Sequence, residues 1–460
     1  MTSKTFLFNH LSLKIKQLQF HLKKIKRPFF FILLLTGINT SFAQTVHQKL
    51  GIEDLFTLAE SNSRSIRILD IAEKEAQEAV RVAKNTRLPS VSASLSANYL
   101  GDVWIADRNF SNGETATMPH FGNNFALEAS EVIYAGGAIS NGIAIAKLQQ
   151  QQAGLDKEKN RQNIRFLLIG NYLELYKLYN QEEVYLKNIE QTKKLLSDIN
   201  AKQREGLALK NDIIRYELQL KSLELALIQI RNQQLIFNNQ LVTVLELPQD
   251  TRIDMDTTLL KQMPVTFDET KWQETAIGTS PSLKQSKIGI EQLKHNEKII
   301  KAERMPSLAL LAGDHFDGPI TTAGISPQNK NYNYWYIGLG LKYNIASIYT
   351  SGKKIKQAQL STQKAIEGDN LLQENIQTEV KSAYIHFVES FTILETEQKS
   401  LQLANKNYET INNRYLNDLA LITDMLDASN AKLNSELQVA NARINILFNY
   451  YQLKKASGNL

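Results

Sequence analysis

The sequence predicts a mainly α-helical chain with a membrane β-barrel component, built from two long antiparallel helical hairpins and four β-strands. Three observations predict this class. A unit longer than 200 residues occurs twice, two long proline-free tracts carry heptad spacing, and the segment before each tract alternates apolar with polar residues. A duplicated unit of this kind predicts that each half supplies one hairpin and two strands.

One short motif shows the duplication most clearly. Leu207-Ala208-Leu209 precedes Asp212, and 212 residues later Leu419-Ala420-Leu421 precedes Asp424 with the same internal spacing. Two further matches keep the same order: Leu88-Pro89-Ser90 with Met305-Pro306-Ser307, and Gly137 with Gly352. This period is far longer than that of a solenoid repeat. We therefore predict three segments: a first structural repeat at 44–246, an equatorial linker at 247–270 and a second structural repeat at 271–460.

Residues 1–43 have the composition of a secretory signal peptide. They hold seven basic residues and no Asp or Glu, and an apolar run from Phe29 to Leu35 precedes Ser41-Phe42-Ala43. Small residues after an apolar run are typical of a cleavage site, so we expect cleavage near Gln44. An uncleaved amphipathic anchor is the alternative interpretation.

Charge and cysteine content exclude several classes of protein. The formal net charge is +6, but 46 basic and 47 acidic residues remain once the first 43 residues are removed. The basic excess therefore gives no basis for nucleic-acid binding. The chain has no cysteine, which excludes disulfides, cysteine metal sites and a lipid-modified N-terminal Cys.

Two proline-free tracts, 120–247 and 328–460, are predicted to be helical. Apolar residues recur in them at alternating intervals of four and three, the heptad spacing of a helix–helix seam. A turn at Glu205-Gly206 and another at Asn417-Asp418 would fold each tract into an antiparallel hairpin. Descending helices of roughly 60 to 65 residues would make each hairpin roughly 90 to 100 Å long.

The segments before the hairpins change to a period of two, which predicts strands at 91–99, 124–129, 308–312 and 335–345. About ten residues is the length of a strand that crosses an outer membrane. A soluble sheet with one face on a core gives the same alternation. The signal peptide favours the membrane interpretation. The helices favour it too, because their apolar residues are used in their own seams and cannot cover the sheet.

Four strands cannot close a barrel, and an open sheet edge in lipid leaves backbone groups unpaired at several kcal/mol each. Bacterial barrels begin at about eight strands. Several chains must therefore share one barrel, and three chains would supply twelve strands. The loops 105–120 and 314–331 are expected to face the outside of the cell.

The ordered set of motifs resembles the TolC family of outer-membrane efflux proteins over essentially the whole mature chain. The order is a signal peptide, a helix, Leu-Pro-Ser, a strand pair, Gly-Gly and a long hairpin, and then the same again. The family-like residues around the second tip are Arg414-Tyr415, Asp418-Leu419, Asp424 to Ala428 and Ala440 to Arg443. Two positions depart from the family: Glu131-Val132 replaces a common Gln-Pro, and Ala420 replaces a basic residue that ties the closed tip in some members.

The resemblance implies a homotrimer with a twelve-stranded β-barrel in the outer membrane and a long α-helical barrel in the periplasm. Such a protein is the passive exit duct of a tripartite efflux pump or type I secretion system. Its implied partners are outer-membrane lipid, a periplasmic adaptor (membrane fusion) protein and an inner-membrane RND or ABC transporter. The resemblance implies no chemistry by the chain itself, and no cofactor or metal.

Asp424 and Asp427 are three residues apart at a helix start and so share a face. The resemblance implies that this pair lines the periplasmic aperture, where three chains would place six carboxylates in a cation-attracting constriction. Helix capping is the alternative role for both side chains. Tyr415 is interpreted either as a brace between helices of the closed tip or as a core residue.

The two tips are chemically unequal, because Arg215 stands in the first hairpin where the second has Asp427. Several tip residues are candidates for contact with the adaptor: Gly206, Leu207, Asp212, Asp418, Leu419 and Ala420. Packing within the hairpin is the alternative role for the leucines.

Two other classes of protein are alternatives to a channel. An enzyme has little support, because the histidines are scattered and the sequence lacks metal-ligand spacing, a nucleophile elbow and a phosphate-binding glycine loop. A soluble periplasmic coiled-coil scaffold or adaptor is the stronger alternative to a channel.

Overall fold

The computed structural model of the chain describes residues 46–256, 264, 268–321 and 327–460. The predicted signal peptide lies outside the described residues, as do parts of the predicted linker and of the second predicted loop. Within the described ranges, no helix is both long enough and apolar enough to cross a membrane.

Helices make up most of the described chain. They are α1 (Ile52–Asn62), α2 (Arg64–Asn85), α3 (Ala138–Arg204), α4 (Lys210–Val244), α5 (Glu269–Thr279), α6 (Pro281–Ala302), α7 (Ser347–Leu416) and α8 (Ile422–Ala456). The strands are β1 (Val46–Leu50), β2 (Ser90–Tyr99), β3 (Val103–Ile105), β4 (Glu114–Ala116), β5 (Phe121–Ala135), β6 (Thr251–Met255), β7 (Ser307–Gly318) and β8 (Tyr332–Lys342). Each long hairpin is thus preceded by two strands of the main sheet.

The two hairpins are α3 with α4 and α7 with α8. Their descending helices have 67 and 70 residues, slightly more than the sequence suggested, and so extend about 100 Å at 1.5 Å per residue. The heptad positions form the seams as predicted: every one is buried or half-buried, from Tyr216 to Val244 in α4 and from Leu394 to Tyr415 in α7.

The helices pack side by side as a layer, four abreast along its whole length. In the half near the sheet, α2 packs on α3, and α6 packs on both α3 and α7. In the far half, α4 packs on α3, and α8 packs on both α3 and α7. The layer therefore has two edges, one formed by α2 and α4 and the other by α7.

The main sheet is antiparallel, with the strand order β2-β5-β7-β8. All four strands occur where period two predicted them, but β7 continues to Gly318, so that 314–318 is strand rather than loop. The predicted loop 105–120 also contains structure, since β4 lies in it and pairs with β3. The extension of β7 was missed because Asp314 falls in the apolar phase of that strand and interrupts its alternation.

Register places apolar side chains on one face of the sheet. Leu95, Phe125 and Phe316 are cross-strand neighbours on this face. Further along, Leu310 lies beside Leu339. The other face carries serines from β2, glycines from β8 and several polar side chains. This apolar face also carries two carboxylates, Glu131, which pairs with Leu310, and Asp314, which pairs with Leu127.

A parallel ribbon pairs β1, from the predicted first repeat, with β6, from the segment 247–270 that the sequence predicted only as a linker. The Tyr172 hydroxyl on α3 bonds to the chain at the ends of both strands. It donates to the Leu50 carbonyl at 2.7 Å and accepts from the Asp256 backbone N–H at 3.0 Å. Burial raises the pKa of this phenol to about 12. The ribbon therefore packs on the helical layer as part of its largest core cluster.

Candidate functional site at the hairpin tips

Both descending helices end in the same way. Gly206 has φ of +78° after α3, and Asp418 has φ of +58° after α7. In each turn the next backbone N–H reaches back five residues, from Leu207 to the Lys202 carbonyl at 2.9 Å and from Leu419 to the Arg414 carbonyl at 2.8 Å. These bonds satisfy carbonyls at the helix end, and the left-handed residue is normally glycine. Asp418 thus occupies a backbone conformation that glycine would adopt without strain.

The ascending helices also begin in the same way. The Asp212 carboxylate accepts a hydrogen bond from the Leu209 backbone N–H at 3.0 Å, and Asp424 accepts one from Leu421 at 3.0 Å. Each carboxylate lies at the third position of its helix, where it also favours the positive end of the helix dipole. Capping is therefore a role that Asp424 performs in this structure. Asp427 lies one turn further on and is exposed.

A groove of about 350 Å³ separates the two hairpin turns. It brings together side chains from both tips, including Lys202, Leu207, Asp212, Tyr415, Asp418 and Ala420. Five of these six were predicted as tip residues. Neither Asp424 nor Asp427 lines the groove.

Lys202 connects the two hairpins across this groove. Its Nζ lies 2.8 Å from Asp418 Oδ1 and 3.4 Å from the Tyr415 carbonyl oxygen. The same Nζ is 5.0 Å from the centroid of the Tyr415 ring, within range of a cation–π interaction. Lys202 was not predicted from the sequence, because its contact with Asp418 joins segments 216 residues apart and no local pattern marks it.

Tyr415 lies in the core of the tip. It is 8% exposed and packs with Ile199, Tyr216, Ile422 and Met425. Burial raises the pKa of its phenol, and the nearby carboxylates of Asp212 and Asp418 raise it further. Tyr415 is therefore packed as a core residue, and it also contacts Lys202 of the other hairpin.

The tip core contains a buried hydroxyl, that of Tyr216, with no hydrogen-bond partner among the residues that the structure describes. Such a group costs about 1–3 kcal/mol in desolvation. We expect Tyr216→Phe to raise the free energy of unfolding by about 1 kcal/mol, which thermal unfolding of the purified protein would measure. Tyr172→Phe is the matched control, because it removes two hydrogen bonds and should lower the free energy of unfolding. A lower free energy of unfolding in Tyr216→Phe would show that the Tyr216 hydroxyl has a hydrogen-bond partner.

Apolar side chains protrude from both turns. Leu207, Leu209, Leu419 and Leu421 are each more than 60% exposed, and Gly206 lies beside them. We call these four leucines the tip leucines. Burial of about 25 cal/mol per Å² makes such a patch a favourable protein-binding surface.

Comparisons with known proteins find a similar fold over about nine tenths of the chain and a family match over a smaller part of it. The model of the outer membrane efflux protein family matches residues 272–459. Outer membrane protein TolC of Escherichia coli (strain K12) is 24% identical over 187 residues, which is 39% of this chain and 38% of TolC. That alignment therefore spans well under half of the relative.

Solved structures resemble almost the entire chain. The outer-membrane channel OprN aligns with a TM-score of 0.74 at 14% identity, covering 89% of this chain and 90% of OprN. The CmeC outer membrane channel of Campylobacter jejuni aligns with a TM-score of 0.70 at 18% identity, covering 89% of this chain and 85% of CmeC. The chain therefore has the fold of the outer-membrane efflux channels, and its residues 272–459 match the outer membrane efflux protein family.

Proposed function

We propose that three copies of this chain form a channel of the outer membrane that serves as the passive exit duct of a tripartite efflux pump or type I secretion system. The main sheet would supply one third of a twelve-stranded barrel, and the helical layer one third of a tube in the periplasm. One observation carries the proposal: the sheet has an uncovered apolar face and two open edges that continue into the two edges of the helical layer.

The apolar face suits lipid better than water. Leu95 is 77% exposed, Leu341 is 72% exposed, and Ile337 and Leu339 are each 67% exposed. Burying such side chains gains about 1.5–3 kcal/mol each. No described helix covers them, and contiguous apolar surface of this kind marks an interaction or membrane site.

The edges of the chain suit a ring of identical copies. Among the described strands, β2 and β8 each pair on one side only. Beside β2, the free side of α2 exposes Ile68, Ile71 and Val82; beside β8, α7 exposes Leu360 and Leu371. A contact between one edge and the opposite edge of the next copy is heterologous, and it gives a closed ring when the rotation between copies is that of a trimer. Closure would also pair the open strand edges, as lipid requires.

Cell fractionation tests the proposal. The protein is expected in detergent extracts of the outer membrane, as an oligomer that dissociates on heating and has three times the mass of the chain. Because the chain has no cysteine, one cysteine introduced on β2 and one on β8 would report the contact between copies by forming a disulfide. A soluble monomer in the periplasm would instead support the scaffold or adaptor alternative.

An arginine introduced on one face of the sheet is expected to affect membrane assembly differently from an arginine introduced on the other face. Leu339→Arg places a charge in the lipid-facing surface at about 2–4 kcal/mol per chain, so we expect the heat-sensitive oligomer to be lost from the membrane. Gly338→Arg is the matched control, because a Cβ at Gly338 meets no atom within 4 Å and its side chain would enter the polar face. Equal membrane assembly of the two variants would contradict the lipid-facing assignment.

The hairpin tips are the proposed periplasmic end of the duct. The tip leucines would bind a periplasmic adaptor, itself joined to an inner-membrane RND or ABC transporter. Asp424 and Asp427 are proposed to line the aperture in addition to the capping role of Asp424. The ion pair of Lys202 with Asp418 would hold the two hairpins of one chain together while the aperture is closed.

A further inference from the structure

The polar face of the main sheet carries a column of four aromatic rings at its distal end, away from the helices. The rings are Tyr332, Tyr334, His315 and Tyr336, here called the aromatic column. His315 and Tyr334 are 4.8 Å apart between centroids and 5° from parallel. Tyr332 lies 5.9 Å from Tyr334 at 16°, and Tyr336 lies 6.0 Å from His315 at 18°.

The column is a local feature of this face. Nearer the helices, β8 presents Gly338 and Gly340, whose partners on β7 are Leu311 and Ala309. Tyr336 lies across Gly313, where a Cβ would stand 2.6 Å from the ring. In a closed trimer, three such columns would therefore narrow the lumen at its distal mouth and leave the proximal part wide.

Negative charge accompanies the column. The Glu128 carboxylate is 3.8 Å from His315 Nε2, and its side chain is 57% exposed. Asp317 is the cross-strand partner of Tyr332 and accepts a hydrogen bond from the Asn124 side chain. Apart from His315, the basic side chain that the described strands place on the polar face is Lys342, at the end nearest the helices.

We propose that the aromatic column is a binding site for planar aromatic cations at the distal mouth of the channel. The inference rests on the proposed function, which places the polar face in the lumen. Tyr332 ends the column and is 39% exposed, so that a planar cation can stack on it as a fifth ring with Asp317 as its counter-charge. Electron-rich phenol faces attract such cations. A non-aromatic cation lacks the stacking contribution, and the carboxylates repel an aromatic anion.

Equilibrium binding tests the site without requiring ion conduction. Ethidium fluorescence is titrated against the purified trimer in detergent. We expect Tyr332→Leu with Tyr334→Leu to weaken ethidium binding about fivefold or more, and Tyr332→Phe with Tyr334→Phe to leave it within about twofold. Asp317→Asn, which leaves the rings in place, should weaken it about threefold. Equal binding by the leucine, phenylalanine and native proteins would overturn the proposal.

Channel block then separates this inference from the proposed function. In a planar bilayer, ethidium added on the side of the strand loops should reduce the current, whereas tetraethylammonium and naphthalenesulfonate should not. Block by all three probes alike would overturn the site. A native trimer that binds ethidium through these tyrosines but passes no current would overturn the proposed duct and retain the site.

Discussion

Replacing Asp418 with glycine is expected to raise the open probability of the channel in planar bilayers without lowering thermal stability. The substitution removes the ion pair between Lys202 and Asp418 while giving the φ of +58° to a residue that adopts it freely. The pair is partly exposed, 22% at the lysine and 66% at the aspartate, so it contributes about 0.5–1 kcal/mol per chain.

Three pairs act together in a trimer. Their combined loss of about 1.5–3 kcal/mol would favour the open aperture about 10- to 150-fold. Lys202→Met should have a similar effect, and combining it with Asp418→Gly should add little, because both remove one interaction. Glu205→Gln is the control, since it removes a carboxylate from the same tip outside this pair. Unchanged open probability in both pair variants would contradict the proposed role of the ion pair between Lys202 and Asp418.

The sequence predicted those features whose signal is local and repeated. Heptad spacing located the seams from Tyr216 to Val244 and from Leu394 to Tyr415, because a buried helical stripe requires an apolar residue at every turn. Period two located all four strands of the main sheet. The turn positions followed from the repeated Leu-Ala-Leu motif, which begins directly after the left-handed residues Gly206 and Asp418.

Features that depend on distant residues were not predicted. The ribbon of β1 and β6 pairs segments 205 residues apart, and each strand has only five residues. Gly137 and Gly352, matched in sequence, are not equivalent: Gly137 precedes α3, whereas Gly352 lies inside α7. At the tip, the family resemblance implied that a basic residue is absent because Ala420 occupies its position. The structure instead places the cation of Lys202, from the other hairpin, against Asp418.

Replacing Asp424 and Asp427 together with asparagine is expected to lower the cation preference of the channel about two- to fivefold, because six carboxylates leave the proposed aperture. Asparagine is preferred to alanine here. Its side-chain oxygen still accepts the hydrogen bond from the Leu421 N–H, whereas alanine would also remove the cap at a cost of about 1 kcal/mol. Ion selectivity is measured as the reversal potential across a salt gradient.

The first hairpin provides the matched control for this experiment. Asp212 makes the same capping hydrogen bond as Asp424, but Arg215 takes the place of Asp427. Asp212→Asn should therefore leave selectivity nearly unchanged if the acidic pair of the second hairpin lines the aperture. An equal loss of selectivity from Asp212→Asn would assign the effect to general tip charge. No loss from the double variant would reduce Asp424 to its capping role, because that hydrogen bond is then its whole contribution.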